Sequence, residues 1–360
     1  MEAHEHMKPK SIHLSLAGLV LLAVTGCGGG GFALVAQHAP DPEWKEFEAR
    51  TLTNVRQLTF SDMGLVKSGE AYFAPDLKSI IFQAFPPGEH QYQMYTLGLD
   101  DGGNPIRESL KRVSPPGGAC TCGYFRPDGR KIIYGSSHLN PDMPNPNVYH
   151  RKGSSYKWDM PGGMDIIEAD LDGSNPRQLT TTAGYDAEGD YSDDGKYIVF
   201  TSDRDGDPDL YIMDADGGNV RQLTNSPGYD GGPFFSPDGK RVIFRADRKR
   251  NDNLQLFVID ADGRSERQIT AHCDVVNWAP FWLPDGKSVV FTTSLHGHHN
   301  YEVYLINIET GAQRRVTYSP GFDGLPVVSR DGRWMMWTSQ RTTGGDSQVF
   351  LAEFKTPEGF

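Results

Sequence analysis

A Pro-Asp-Gly turn, intact or degenerate, recurs along this chain with its aspartates at Asp76, Asp128, Asp194, Asp238, Asp285 and Asp331. Eight residues ahead of each stand Ser68, Cys120, Asp186, Asp230, Asn277 and Asp323. Two residues further on come Glu70, Cys122 and Glu188. In an extended strand of period two, both sets face one way. If the six segments surround an axis, they make an acidic, cysteine-containing funnel whose ligand-binding groups are Asp186, Asp230, Asn277, Asp323, Glu70 and Glu188. Carboxylates ~8 Å apart at an effective dielectric of ~20 repel by roughly 2 kcal/mol. Such a ring attracts a cation or an amine, or raises a carboxyl pKa. The alternative is that each aspartate caps its own loop, since Gly-Tyr-Asp and Gly-Phe-Asp are ordinary turn chemistry.

Histidines form a second constellation. In Ser294-Leu-His296-Gly-His298-His299, an extended backbone points His296 and His298 the same way, and His138 falls in a loop expected on the same face. Neutral imidazoles so placed could ligate a divalent metal, zinc or copper. The spacing matches no fixed motif such as HExxH, and solvated loop histidines are the competing reading. Asp203-Arg-Asp-Gly-Asp-Pro-Asp209 has the alternating carboxylates of a calcium loop but lacks its distal glutamate, and reads as a hairpin. An excursion at 138–163 carries Tyr149, Arg151, Tyr156 and Trp158. Aromatics beside cations on a rigid scaffold suit a glycan or an acidic partner.

These residues need a framework, and the repeat supplies one. The last four turns are separated by 44, 47 and 46 residues. Each interval holds short β-branched and aromatic runs bounded by Asp-Gly turns, enough for four strands, which is the length of a propeller blade. One blade cannot bury both its faces, so about six must stack around an axis. The last repeat lacks an outer strand, and a spare Arg56-Gln57-Leu58-Thr59 precedes the first. Residues 54–59 are therefore expected to pair with 349–354 and close the ring, which removes the exposed edges. The fold class is all-β, a six-bladed propeller completed by an N-terminal strand. The text Arg-Gln-Leu-Thr … Phe-Ser-Pro-Asp-Gly-Lys … Ser-Asp-Arg-Asp-Gly … Leu-Tyr-Ile-Met-Asp-Ala-Asp-Gly, best kept between Asp190 and Gly263, resembles the TolB-type β-propeller repeat. That resemblance spans about residues 55–354 and implies the fold far more specifically than the function. TolB proteins carry a further α/β domain before the propeller, for which this sequence has no room.

Composition narrows the partners. Acidic residues outnumber Lys and Arg by 47 to 35, a net charge of −12, and no basic stripe compensates, which argues against nucleic acid. Of four cysteines Cys27 belongs to the N-terminal leader, and the remaining three exclude a multi-disulfide framework, although a bond from Cys120 or Cys122 to Cys273 is compatible with the sequence. At the N-terminus, Met7-Lys-Pro-Lys is followed by an apolar stretch over 14–25, the length of a secretory leader and short for a membrane span. Val24-Thr25-Gly26-Cys27 resembles a bacterial lipobox, which implies cleavage before Cys27 and its lipidation. The expected organisation is a lipoprotein signal peptide at 1–26, a lipidated N-terminus and flexible linker at 27–50, and the propeller at 51–356.

No Gly-x-Ser-x-Gly elbow, Walker loop or dinucleotide fingerprint is present. The leading expectation is an exported lipoprotein, lipid-anchored in the bacterial cell envelope and facing the periplasm or the surface. Its propeller would bind a protein, peptide or glycan on its loop face without catalysis. The alternative is metal-dependent glycan processing, as a lyase or hydrolase, in the acidic and histidine-bearing funnel.

Overall fold

The computed structural model describes residues 43–89, 91–140 and 160–360, together with the backbone of 149–152 and 155–158. The leader at 1–26 and the lipidation residue Cys27 lie outside the described residues. Six four-stranded antiparallel sheets form the body. Blade three is representative: Asp186–Tyr191 lies innermost, followed by Tyr197–Ser202, Asp209–Asp214 and the short outer Arg221–Gln222. Strands two and three are apolar almost throughout because neighbouring blades cover both of their faces. Val199, Leu210 and Ile212 of blade three, for instance, pack into one cluster with Phe235, Val242 and Phe244 of blade four. Corresponding clusters join the other adjacent blades and complete the circuit.

The ring closes as the repeat count requires. Leu52–Gln57 pairs antiparallel with Gln348–Phe354, in a register that sets Leu52 opposite Phe354 and Gln57 opposite Phe350. The Arg-Gln-Leu-Thr text also gains a physical meaning. Its threonine hydroxyl accepts the amide of the second residue of strand three and donates to the side chain of the first. Thr224 Oγ1 takes Leu210 N at 2.9 Å and bonds Asp209 Oδ1 at 2.9 Å. Thr59 does the same for the closing blade, with Val349 N at 2.9 Å and Gln348 Oε1 at 2.7 Å. The arginine reaches the next blade. Arg177 donates to Asp216 O at 3.0 Å and Arg267 to Ile308 O at 2.8 Å, while Arg56 crosses the closure to Gly102 O.

Two segments depart from the repeat. In blade two, Tyr149–Lys152 and Ser155–Trp158 pair as a separate two-stranded sheet outside the blades. Before the ring, Trp44–Glu48 forms a one-turn helix. For residues 41–50 the sequence allows a short helix with Trp44 and Phe47 on one face or a flexible linker, and the structure has the helix, docked from Trp44 onward. Phe47 stacks on Tyr318 with ring centres 5.8 Å apart, and buried Glu48 receives Arg341 NH1 at 2.7 Å and Tyr318 N at 3.0 Å.

Candidate functional site

The axial channel is built by one backbone device used six times. Each inner strand carries a bulge against strand two. At the bulge Glu70, Cys122, Glu188, Gly232, Ala279 and Leu325 have φ between 46° and 59°. A bulge inserts an unpaired residue and reverses the facing of what precedes it. Glu70, Cys122 and Glu188 therefore line the channel, while the residues two positions earlier turn away from it.

This corrects the expected funnel. Asp186, Asp230, Asn277 and Asp323 are at most 2% exposed and are absent from the channel wall. Asp186 meets Arg204 at 3.1 Å, Asp230 meets Arg248 at 2.5 Å, and Asp323 meets Arg341 at 2.9 Å. Each arginine also lies over an aromatic pair from strands two and three of its blade: Phe200 and Tyr211, Phe244 and Phe257, Trp337 and Phe350. The signal was present in the sequence, because each of these aspartates is followed 18 residues later by its arginine. In blade two that position holds His138, and His138 Nδ1 shares a 2.8 Å hydrogen bond with Ser136, itself beside Cys120 Sγ. In blade five Asn277 bonds Gln255 at 3.0 Å.

The histidines occupy three local pairings. His296 Nε2 bonds Tyr304 OH at 2.8 Å and His298 Nδ1 bonds Tyr301 OH at 2.9 Å, apart from the Ser136–His138 pair. Among the described residues, the group of three or more acidic, thiol or imidazole side chains within metal-ligating reach is Asp205, Asp207 and Asp209, not a histidine cluster. Cys120 and Cys122 are free buried thiols, so neither bridges to Cys273. Burial pushes the Cys120 thiol up to about 11 and Cys122 further, which leaves both poor nucleophiles. The side chains of Tyr149, Arg151, Tyr156 and Trp158 belong to residues whose backbone alone is described.

In the channel, Glu188 is saturated. It accepts Thr201 Oγ1 at 2.8 Å, Tyr229 OH at 3.0 Å, Gly232 N at 2.7 Å and Arg245 NH2 at 2.6 Å. Gly232 leaves room for this, because a Cβ there would meet the Arg245 guanidinium and push it from its place against Glu188. Glu70 differs: Tyr72 OH lies at 3.3 Å from its carboxylate and the Cys122 thiol bonds it. Burial, more than any neighbour, pushes the Glu70 carboxyl above its ordinary range. Cys122 and Arg245 oppose that rise and Glu188 adds to it.

Two positions beyond the bulge, Tyr72, Tyr124, Phe234 and Phe281 converge from four blades. Ring centres are 5.1 Å apart for Tyr72–Tyr124 and for Phe234–Phe281, and 5.7 Å for Tyr72–Phe234. They close the channel as an aromatic floor. Asp190 stands beside them, buried, its Oδ2 accepting Phe235 N at 2.8 Å and its carboxyl held well above the usual range by burial. Beyond it, Arg330 of blade six reaches Asp193 of blade three at 2.8 Å, a bridge between opposite sides of the ring. Sequence reasoning missed Arg245 and this floor, although Tyr72, Tyr124, Phe234 and Phe281 all lie four residues after the ring positions.

Comparison with known proteins bears on the family. The TolB beta propeller domain matches residues 157–226 and 265–358. Among solved structures, a candidate TolB from Agrobacterium tumefaciens superposes with a TM-score of 0.56 at 21% identity, over 80% of this chain and 91% of that one. TolB from Acinetobacter baumannii gives 0.52 at 21% identity, over 80% of this chain and 64% of that one. An oligogalacturonate lyase from Vibrio parahaemolyticus gives 0.50 at 14% identity, over 86% and 96%. At such identities the likeness is one of fold. No curated protein matches the sequence. Repeat text, six closed blades and the domain match agree that this propeller carries TolB-like β-propeller repeats, matched over residues 157–226 and 265–358.

Proposed function

We propose that this protein is an exported lipoprotein, anchored through Cys27 in the bacterial cell envelope, whose propeller binds a protein, peptide or glycan at its loop face and catalyses no reaction. The observation that carries this reading is the blade-two hairpin, a two-stranded sheet that pairs with none of the six blades. The ring does not need it for closure, yet the chain spends an excursion rich in Tyr, Trp, Arg and Lys on it. Loops of this kind, held by a rigid scaffold, are where recognition concentrates. The acidic channel supports the same reading, since Glu188 already spends its oxygens on neighbours, and His138, His296 and His298 each bond a separate local partner.

The test replaces residues 141–162 by a short Gly-Ser turn and cross-links the full chain in its own envelope. Loss of a specific cross-linked partner with an unchanged melting temperature is the expected result. Retention of the partner would place recognition elsewhere. The metal-dependent alternative is tested by elemental analysis of untagged protein. Near-stoichiometric zinc, copper or manganese that disappears in His296→Ala/His298→Ala would displace the scaffold reading.

A further inference from the structure

The channel wall contains three formally charged side chains, Glu70, Glu188 and Arg245. Two carboxylates against one guanidinium leave one negative charge uncompensated. Arg245 and Glu188 are joined to each other, so that charge resides on Glu70 when it is ionised, a state that burial disfavours and a bound cation would favour. Glu70 faces a space bounded below by the aromatic floor.

We propose that this space is a binding site for a small primary alkylammonium ion, with the ammonium on Glu70 and the alkyl carbons over Tyr72, Phe234 and Phe281. Each part of the ligand meets a feature of the wall. The ammonium brings three donors and one positive charge, and Glu70 offers two carboxylate oxygens with Tyr72 OH alongside. Aromatic faces attract the same charge and cover the adjoining methylenes. The charge count selects a monovalent ion, because a dication would leave the site positive beside Arg245. The donor count points the same way. Calcium takes 6–8 oxygen ligands, and here the Glu188 oxygens are already occupied by Thr201, Tyr229, Gly232 and Arg245. A quaternary ammonium lacks the donors that Glu70 would accept. The site is independent of the blade-two hairpin, so its failure would leave the loop-face reading intact, and the reverse.

The experiment is calorimetric titration of the full chain with n-propylammonium chloride, with tetramethylammonium chloride and calcium chloride as parallel titrants. Saturable n-propylammonium binding is expected, weakened about tenfold or more in Glu70→Gln, because a charge-assisted hydrogen bond is lost. Phe281→Leu is a second variant that does not touch the carboxylate and should weaken binding about threefold through the lost aromatic face. Melting curves of both variants, close to that of the parent, show that the folded ring is being compared. Three results would overturn the site: no saturation, equal affinity in Glu70→Gln and the parent, or calcium displacing the amine.

Discussion

Asp230 accepts Arg248 Nε at 2.9 Å and NH2 at 2.5 Å while no part of its side chain reaches solvent. A bidentate pair so enclosed is costly to build and more costly to break, since losing Asp230 leaves the largely buried Arg248 with Glu266 alone. Asp230→Ala should therefore destabilise the protein by about 3–5 kcal/mol, read from urea denaturation, and Asp230→Ala/Arg248→Met should recover part of that loss. Recovery is the decisive half, because it separates a stranded charge from an ordinary cavity. Asp209 shows the opposite balance. It is buried against Thr224 with Asp205 and Asp207 beside it, and burial raises its pKa to about 6. The folded state holds this proton more tightly than the unfolded chain does. Its contribution is full below about pH 4, the unfolded carboxyl range, and is lost as pH climbs through about 6. Asp209→Asn should accordingly melt higher than the parent at pH 8, with the difference shrinking toward pH 4. A difference that grows on acidification would contradict the assignment.

At the level of the strand, the outer Arg-Gln-Leu-Thr is a fastening rather than a surface decoration. Its threonine caps strand three of its own blade, and its arginine clips the next. Thr59→Val deletes the bonds to Val349 N, Gln348 and Ser68 at the closure. The expected cost is about 1–3 kcal/mol, because buried polar groups are left without partners. Thr59→Ser should restore most of it. The inner strands teach a different point. Their pleat was legible, but a positive-φ bulge is not written in residue types, as Glu70, Cys122, Glu188 and Leu325 all occupy it. Only pairing against strand two forces the extra residue out, and that reversal separates Glu188 in the channel from Asp186 inside the blade.

For the whole molecule, closure by Leu52–Gln57 makes the last blade depend on residues some 300 positions away in sequence. Removing residues 43–60 should lower the melting temperature sharply and expose the amides of 323–354 first in hydrogen exchange. Uniform protection with an unchanged melting temperature would mean that the closing strand is dispensable. Outside the axial floor and the Arg330–Asp193 bridge, the blades pack chiefly on their neighbours, so a missing fastener is felt locally before it is felt globally.

The number of blades, their order and the manner of closure were determined by the sequence alone, because they follow from periodic turns and from counting strands. The ligand-facing residues were only half determined. Glu70 and Glu188 stand in the channel, whereas Asp186, Asp230, Asn277 and Asp323 serve the blades and His138, His296 and His298 serve local hydrogen bonds. Tertiary structure decided this because a side chain's direction depends on strand pairing and its charge state on what surrounds it. Arg245 illustrates both. In sequence it is one of two arginines in an otherwise apolar strand, and only the packing of blade four on blade three sets it against Glu188 and leaves Glu70 outside that pair.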